Sequence, residues 1–200
     1  MLLFFDTETT GLPDNRLPLD HASQPHLVQI AALCMTPDGK EESMMNVLIE
    51  PNGYSIPEGA ARIHGISTEK AKAFGVPLLV GVSMLSNLIV KCETIVAHNI
   101  SFDLTLLRIA LMRLKRPDRS VEKQQFCTME KAKPICQMPG SARMKAAGMR
   151  GMKPPKLIEA YEFAFKEKFD NAHDALADVR ACARLYFWLI EQQQLQIPDR

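Results

Sequence analysis

No apolar run in this sequence is long enough to cross a membrane, and the N-terminus lacks the basic start and small-residue cleavage site of a signal peptide. Cysteine is scarce and unpatterned. The five thiols (Cys34, Cys92, Cys127, Cys136 and Cys182) are odd in number, widely spaced and without a CxxC pair. That argues against a zinc site or a disulfide framework and fits a reducing cytoplasm. Neither sign of charge dominates: the formal net charge is +1, so any hold on a polyanion must come from local basic patches. Polar low-complexity tracts, internal repeats and linkers are absent too. What remains is 200 residues, 46% hydrophobic, enough for a proper core and expected to form one domain over 1–200.

The pattern of apolar runs and turn signals predicts an α/β chain. Leu2–Phe5 begins a buried strand that ends at the Gly11 turn, Leu27–Met35 a second, and Met44–Ile49 a third. The short turn Pro37–Lys40 can join only antiparallel neighbours, so strands two and three form a hairpin. Helices are expected from Pro57 and Glu58, from Thr68 as N-cap, and over Pro77–Val90. A strand at Thr94–Ala97, an amphipathic helix at Leu104–Leu114 and a weak fifth strand at Gln125–Thr128 follow. This alternation implies right-handed crossovers onto a parallel part of the sheet. The last helix runs from near His173 to about Gln193, with Leu176, Val179, Ala183, Phe187 and Ile190 on its core face. The expectation is a mixed five-stranded sheet flanked by helices.

One stretch departs from this regularity. Lys131, Lys133, Arg143, Lys145, Arg150, Lys153 and Lys156 fall in a segment with no acid, three glycines and four prolines. It reads as a long, mobile basic loop rather than a folded element. A solvated excursion is one reading. A flap that touches phosphates is the other, favoured because the charge has one sign.

Chemistry enters at the end of the first strand. Alternation puts Asp6 and Glu8 on one face, where two adjacent acids repel each other and cost desolvation unless a dication lies between them. Taken alone, the pair fits solvated turn residues equally well. Two later segments add partners: Asp103, at the junction of the fourth strand and its helix, and His173 with Asp178, at the start of the last helix. Four acids and a histidine are the components of a two-metal phosphodiesterase site, with Mg²⁺ or Mn²⁺ ions roughly 4 Å apart. Hard dications take oxygen ligands, and histidine suits proton transfer near neutral pH.

These residues stand in recognisable motifs: Phe5-Asp6-Thr7-Glu8-Thr9-Thr10-Gly11-Leu12, His98-Asn99-Ile100-Ser101-Phe102-Asp103, and His173 followed five positions later by Asp178. Arg62-Ile63-His64-Gly65-Ile66-Ser67 lies between the first two. In that order they resemble the DEDD 3′–5′ exonucleases of the subgroup with a catalytic histidine. Within it they look most like the proofreading subunit of bacterial DNA polymerase III and its stand-alone relatives. The resemblance runs over about residues 1–190.

It implies a ribonuclease H-like fold and hydrolysis of single strands from the 3′ end, releasing nucleoside 5′-monophosphates. By position, Asp6, Glu8 and Asp178 would hold the first metal. Asp6 would bridge to a second that Asp103 completes through water, and His173 would be the general base. His64 and Phe102 match positions lining the terminal-nucleotide pocket, and Thr9 would contact the terminal sugar. Phe102 could instead be core, and Asn99 either orients substrate or caps a turn. Asp174 reads as a helix N-terminal charge, His98 as a hydrogen-bonded structural histidine, and His21 and His26 as surface residues.

The Asp-Thr-Glu-Thr-Thr-Gly wording favours DNA over an RNA-directed enzyme of the ribonuclease T or oligoribonuclease type. A catalytically dead nucleic-acid-binding subunit is disfavoured because all four acids and the histidine are present. A small-nucleotide phosphodiesterase would not need the basic stretch. The expected partners are a single-stranded DNA or RNA 3′ end and a polymerase or other replication or repair protein, with no membrane.

Overall fold

In the computed structural model, residues 1–148, 150–169 and 174–195 are described, with side chains through 192. The first half supplies β1 (Leu2–Thr9), β2 (Leu27–Met35), β3 (Glu41–Leu48), α1 (Glu58–His64), α2 (Thr68–Phe74) and α3 (Leu78–Lys91). The second half supplies β4 (Thr94–Ala97), α4 (Ile100–Arg113), β5 (Gln124–Cys127), α5 (Thr128–Cys136), α6 (Ala142–Ala146), α7 (Leu157–Phe165) and α8 (Ala175–Leu195). The sheet order is β3-β2-β1-β4-β5. β1 pairs antiparallel with β2 and parallel with β4, and β4 pairs parallel with β5. This is the mixed five-stranded sheet flanked by helices that the apolar pattern predicts.

Strand alternation divides the core in two. Leu3 and Phe5 of β1 point into a cluster with Val82, Leu85 and Ile89 of α3 and Leu104 and Leu107 of α4. Leu2 and Phe4 point the other way, onto Val179, Cys182 and Ala183 of α8. Phe4 meets the Tyr186 ring edge-on at 5.4 Å. Gly81 lets α3 lie close to the sheet, since a Cβ there would come within 2.5 Å of Ile49 Cδ1.

Several boundaries differ from expectation. β3 starts at Glu41, because hairpin pairing extends Cys34 to Ser43 and Met35 to Glu41. The N-cap of α2 is Ser67, whose hydroxyl accepts from Lys70 N at 3.1 Å, while Thr68 Oγ1 accepts from Ile56 N at 2.9 Å. α4 begins at Ile100, which places Asp103 in its first turn. Thr128 opens α5 instead of ending β5.

The basic stretch is not a continuous loop. Lys131 and Lys133 lie on α5, and Arg143 and Lys145 on the short α6. Amphipathic packing overrides the proline signal there: Ala132 and Cys136 are buried against Ala160, Leu185 and Leu189. On α8 the fully buried face includes Cys182, Leu185 and Leu189 with Val179 and Ala183, whereas Ile190 is only half-buried. The helix touches both the sheet and α7, so its apolar stripe is wider than one line of residues.

Candidate active site

The alternation that divides the core also builds the site. Asp6 and Glu8 share the parity of Leu2 and Phe4, so they leave β1 on the α8 side, where Asp178 lies one turn into that helix. Single carboxylate oxygens of Asp6, Glu8 and Asp178 lie within 4.8 Å of one another, and all three residues are half-buried. Thr7 has the opposite parity and faces α4. Its backbone N–H and its hydroxyl both donate to Asp103 Oδ1, at 3.0 Å and 2.8 Å. Asp103 is only 2% exposed, so these two bonds anchor a carboxylate that has little water to solvate it.

The electrostatics follow from this crowding. Burial, then Asp103, Asp178 and Glu8, push the Asp6 carboxyl well above the usual carboxylate range. Burial and the charges of Asp178, Asp103 and Asp174 push Glu8 up to about 8. Asp103 rises to about 7 through burial, against the pull of the Thr7 donors. Crowding and burial therefore favour the protonated forms of these carboxyls when no cation is present. A cluster of hard oxygen donors that repel one another fits a hard divalent ion, which would offset that repulsion.

The neighbouring expected residues take varied places. Asp174 caps α8, its Oδ1 accepting from Leu176 N at 3.1 Å and Ala177 N at 3.0 Å. Asn99 sits in the left-handed region at φ 68° and makes no side-chain cap; its Oδ1 accepts from Ser101 Oγ at 3.2 Å. With Phe102, Leu12, Pro13 and Thr105 it lines a cleft of about 340 Å³. Phe102 is half-buried: it packs on the α3–α4 core and also lines this cleft. Thr9 Oγ1 donates to Gly11 O at 2.8 Å, fixing the turn that follows β1. His64 ends α1, nearly buried, with Nδ1 accepting from Ile66 N at 3.2 Å. The expected general base, His173, lies outside the described residues.

His98 is the hydrogen-bonded structural residue that its position suggests. Nδ1 meets Thr128 Oγ1 at 2.9 Å and Nε2 meets Pro155 O at 3.0 Å, and burial lowers its pKa to about 4. His98 thus fastens the start of α5 and the C-terminal end of the basic stretch beside the start of α4. His26 is not a free surface residue. It stacks on Tyr54 at 3.8 Å between ring centroids and contacts Arg113 Nη1 through Nδ1 at 3.2 Å. The sequence reading missed Thr7, although lying between two same-face acids marks it as the residue facing α4. It also missed Leu12, which stands 82% exposed at the cleft.

A family model described as exonuclease, of the RNase T type, matches residues 3–186. The chain belongs to this exonuclease family. A comparison with curated proteins finds no match. Among solved structures, E. coli exonuclease I in complex with a dA16 oligonucleotide superposes with a TM-score of 0.74 at 20% identity, covering 98% of this chain and 41% of that one. The zinc-bound E. coli exonuclease I–single-stranded DNA complex gives 0.73 at 20% identity, covering 98% and 41%. A product-bound exonuclease I gives 0.74 at 18%, covering 97% and 44%. The fold of this exonuclease-family chain is therefore the ribonuclease H-like one, and the chain spans less than half the length of those exonuclease I chains. Among the described residues no helix is long and apolar enough to cross a membrane.

Proposed function

We propose that the chain is a divalent-metal-dependent 3′–5′ exonuclease that acts on single strands, DNA in preference to RNA, and releases nucleoside 5′-monophosphates. The observation that carries this reading is the convergence of Asp6, Glu8 and Asp178 within 4.8 Å at the end of β1, with Asp103 anchored beside them. Asp6, Glu8 and Asp178 would hold one Mg²⁺ or Mn²⁺ ion, and Asp6 and Asp103 a second. Such ions, when bound, supply a water nucleophile at neutral pH and stabilise the leaving oxygen.

The rest is the work of the chain. His173 takes the proton of the attacking water. Thr7 holds Asp103 in a fixed orientation, and Asp174 holds the first turn of α8, so Asp178 stays aimed at β1. Phe102 and Asn99 receive the terminal nucleotide in the cleft beside Leu12, where a ring can stack on any base. Thr9 and His64 shape the sugar and pocket walls. The family membership and the oligonucleotide complexes of the exonuclease I neighbours support a single-stranded DNA end as substrate. Residues 1–200 are read as one exonuclease domain working in the cytoplasm, with a polymerase or other replication or repair protein as the partner class.

The test is digestion of matched 3′-labelled DNA and RNA single strands, with a duplex carrying a mismatched 3′ end as third substrate. Faster release of 5′-monophosphates from DNA supports the proposal. Faster release from RNA would move the chain to the ribonuclease T or oligoribonuclease type, and release of 3′-monophosphates would overturn the mechanism.

A further inference from the structure

Two of the five cysteines meet in the core. Cys34, near the end of β2, and Cys92, which caps the C-terminus of α3, place their sulfurs 3.5 Å apart although 58 positions separate them in the chain. Both are buried, at 4% and 2% exposure. A bond of about 2.05 Å requires the sulfurs to approach by only about 1.5 Å. No other two cysteines of the chain are in sulfur contact among the described residues: Cys182 lies against Thr128 instead, and Cys127 is the more exposed of the set.

We propose that Cys34 and Cys92 are an oxidation site, closing to an intrachain disulfide when the protein meets a peroxide. The thiolate of Cys92 attacks one oxygen of hydrogen peroxide, becomes a sulfenic acid and releases hydroxide, which takes up the proton as water. The sulfur of Cys34 then attacks the sulfenic sulfur, loses its proton, and a second water leaves. Two thiols and one peroxide give one disulfide and two waters. The surroundings suit this order. The contact with Cys34, the N-terminal ammonium and Lys123 favour the ionised form of Cys92 against its burial and Glu93, while Cys34 keeps its proton. Cys92 lies next to the backbone pairing of Glu93 with the chain start, where Glu93 N donates to Met1 O at 3.0 Å.

The position also decides what the bond does. Cys34 pairs with Leu3, at the opposite end of β1 from Asp6 and Glu8, whose partners are Ala31 and Gln29. The cross-link therefore ties the edge half of the sheet to the α3–β4 junction and leaves the acidic cluster alone. It is a staple that is open under reducing conditions and closed under oxidising ones.

The experiment exposes folded protein to stoichiometric hydrogen peroxide, removes the excess with catalase, then alkylates under denaturing conditions and maps the peptides. Alkylated cysteines should fall from the five of the sequence to three, with one fragment joining Cys34 to Cys92, a mass lower by two hydrogens, and full reversal by dithiothreitol. The melting midpoint should rise by roughly 5–15 °C, as expected for closing a long loop in a domain of this size. Cys34→Ala and Cys92→Ala should each abolish both changes. The wild-type map stands by itself if a variant fails to fold. Five alkylated thiols after peroxide, oxygen added to Cys92 without a cross-link, or a link through Cys127 would each overturn the proposal.

Discussion

Thr7 and Asp103 are bound twice: the backbone N–H and the hydroxyl of the strand residue converge on one carboxylate oxygen of the helix residue, at 3.0 Å and 2.8 Å. This ties α4 to the middle of the acidic segment of β1. Thr7→Val keeps the shape and the backbone donor but removes the hydroxyl. It should cost about 1–3 kcal/mol when Asp103 is ionised, as expected for weakening a bond to a buried charged group. Urea unfolding in EDTA at pH 8 and at pH 5 checks this, with the larger loss expected at pH 8. Equal losses at both pH values would place the effect in packing instead.

The stability of the metal-free protein should fall as pH rises. Glu8 goes from its ordinary 4.5 to about 8 on folding, and Asp103 from 3.8 to about 7. Across that window the unfolded chain has released protons that the folded chain still holds, so the folded state binds more protons and each increment of pH favours unfolding. The cost is absent below about pH 4 and complete above about pH 8. Melting curves in EDTA from pH 5 to 9 should show the decline, and excess Mg²⁺ should flatten it. A midpoint that climbs through this range in EDTA would contradict the crowding of the cluster.

Asp6→Ala separates function from stability. Asp6 feels burial and three neighbouring acids, so its removal should raise the melting midpoint of the metal-free protein by a few degrees, about 2–4 °C per kcal/mol relieved. Nuclease activity should drop by at least about 10²–10³-fold. A lower midpoint in EDTA would show that packing of Asp6 outweighs repulsion.

His173→Ala should leave divalent-ion binding in place and slow hydrolysis by roughly 10²–10⁴-fold, the usual cost of removing a general base. The wild-type rate should fall on the acid side of neutrality as imidazole is protonated, and this limb should vanish in the variant. An unchanged pH–rate profile would assign the proton to another group.

How much of the molecule is legible in its sequence depends on the range of the cause. Asp6, Glu8 and the β2–β3 hairpin follow from alternation and one turn, which act over a few residues. The meeting of Asp178 with Glu8, 170 positions apart, is not written in either segment; the motif order points to it, and the shared parity of Asp6 with Phe4 explains it. The basic stretch misleads because glycine and proline speak of local preference. The burial of Ala132 and Cys136 against α8 is tertiary and decides the helix. His26 reads as a surface residue in the sequence, since its stack on Tyr54 comes from a loop 28 positions away.

The exposed cations of that stretch carry a further expectation. Arg143, Lys145 and Arg150 are exposed, while Lys153 pairs with Glu159. Neutralising the three together should weaken binding of long single strands and barely change dinucleotide cleavage. Every phosphate that goes unneutralised should flatten the slope of log K against log salt by about 0.7, so up to about two units in all. Equal effects on long and short substrates would place the stretch away from the strand.

The most direct measurement of the central claim is digestion of a 3′-labelled DNA single strand by the wild type and by Asp6→Ala, in excess EDTA and after restoring Mg²⁺ or Mn²⁺. Four carboxylates crowded at one strand end should give nucleoside 5′-monophosphates only in the wild type and only with the ion. Undiminished release in excess EDTA, or by Asp6→Ala, would contradict the account.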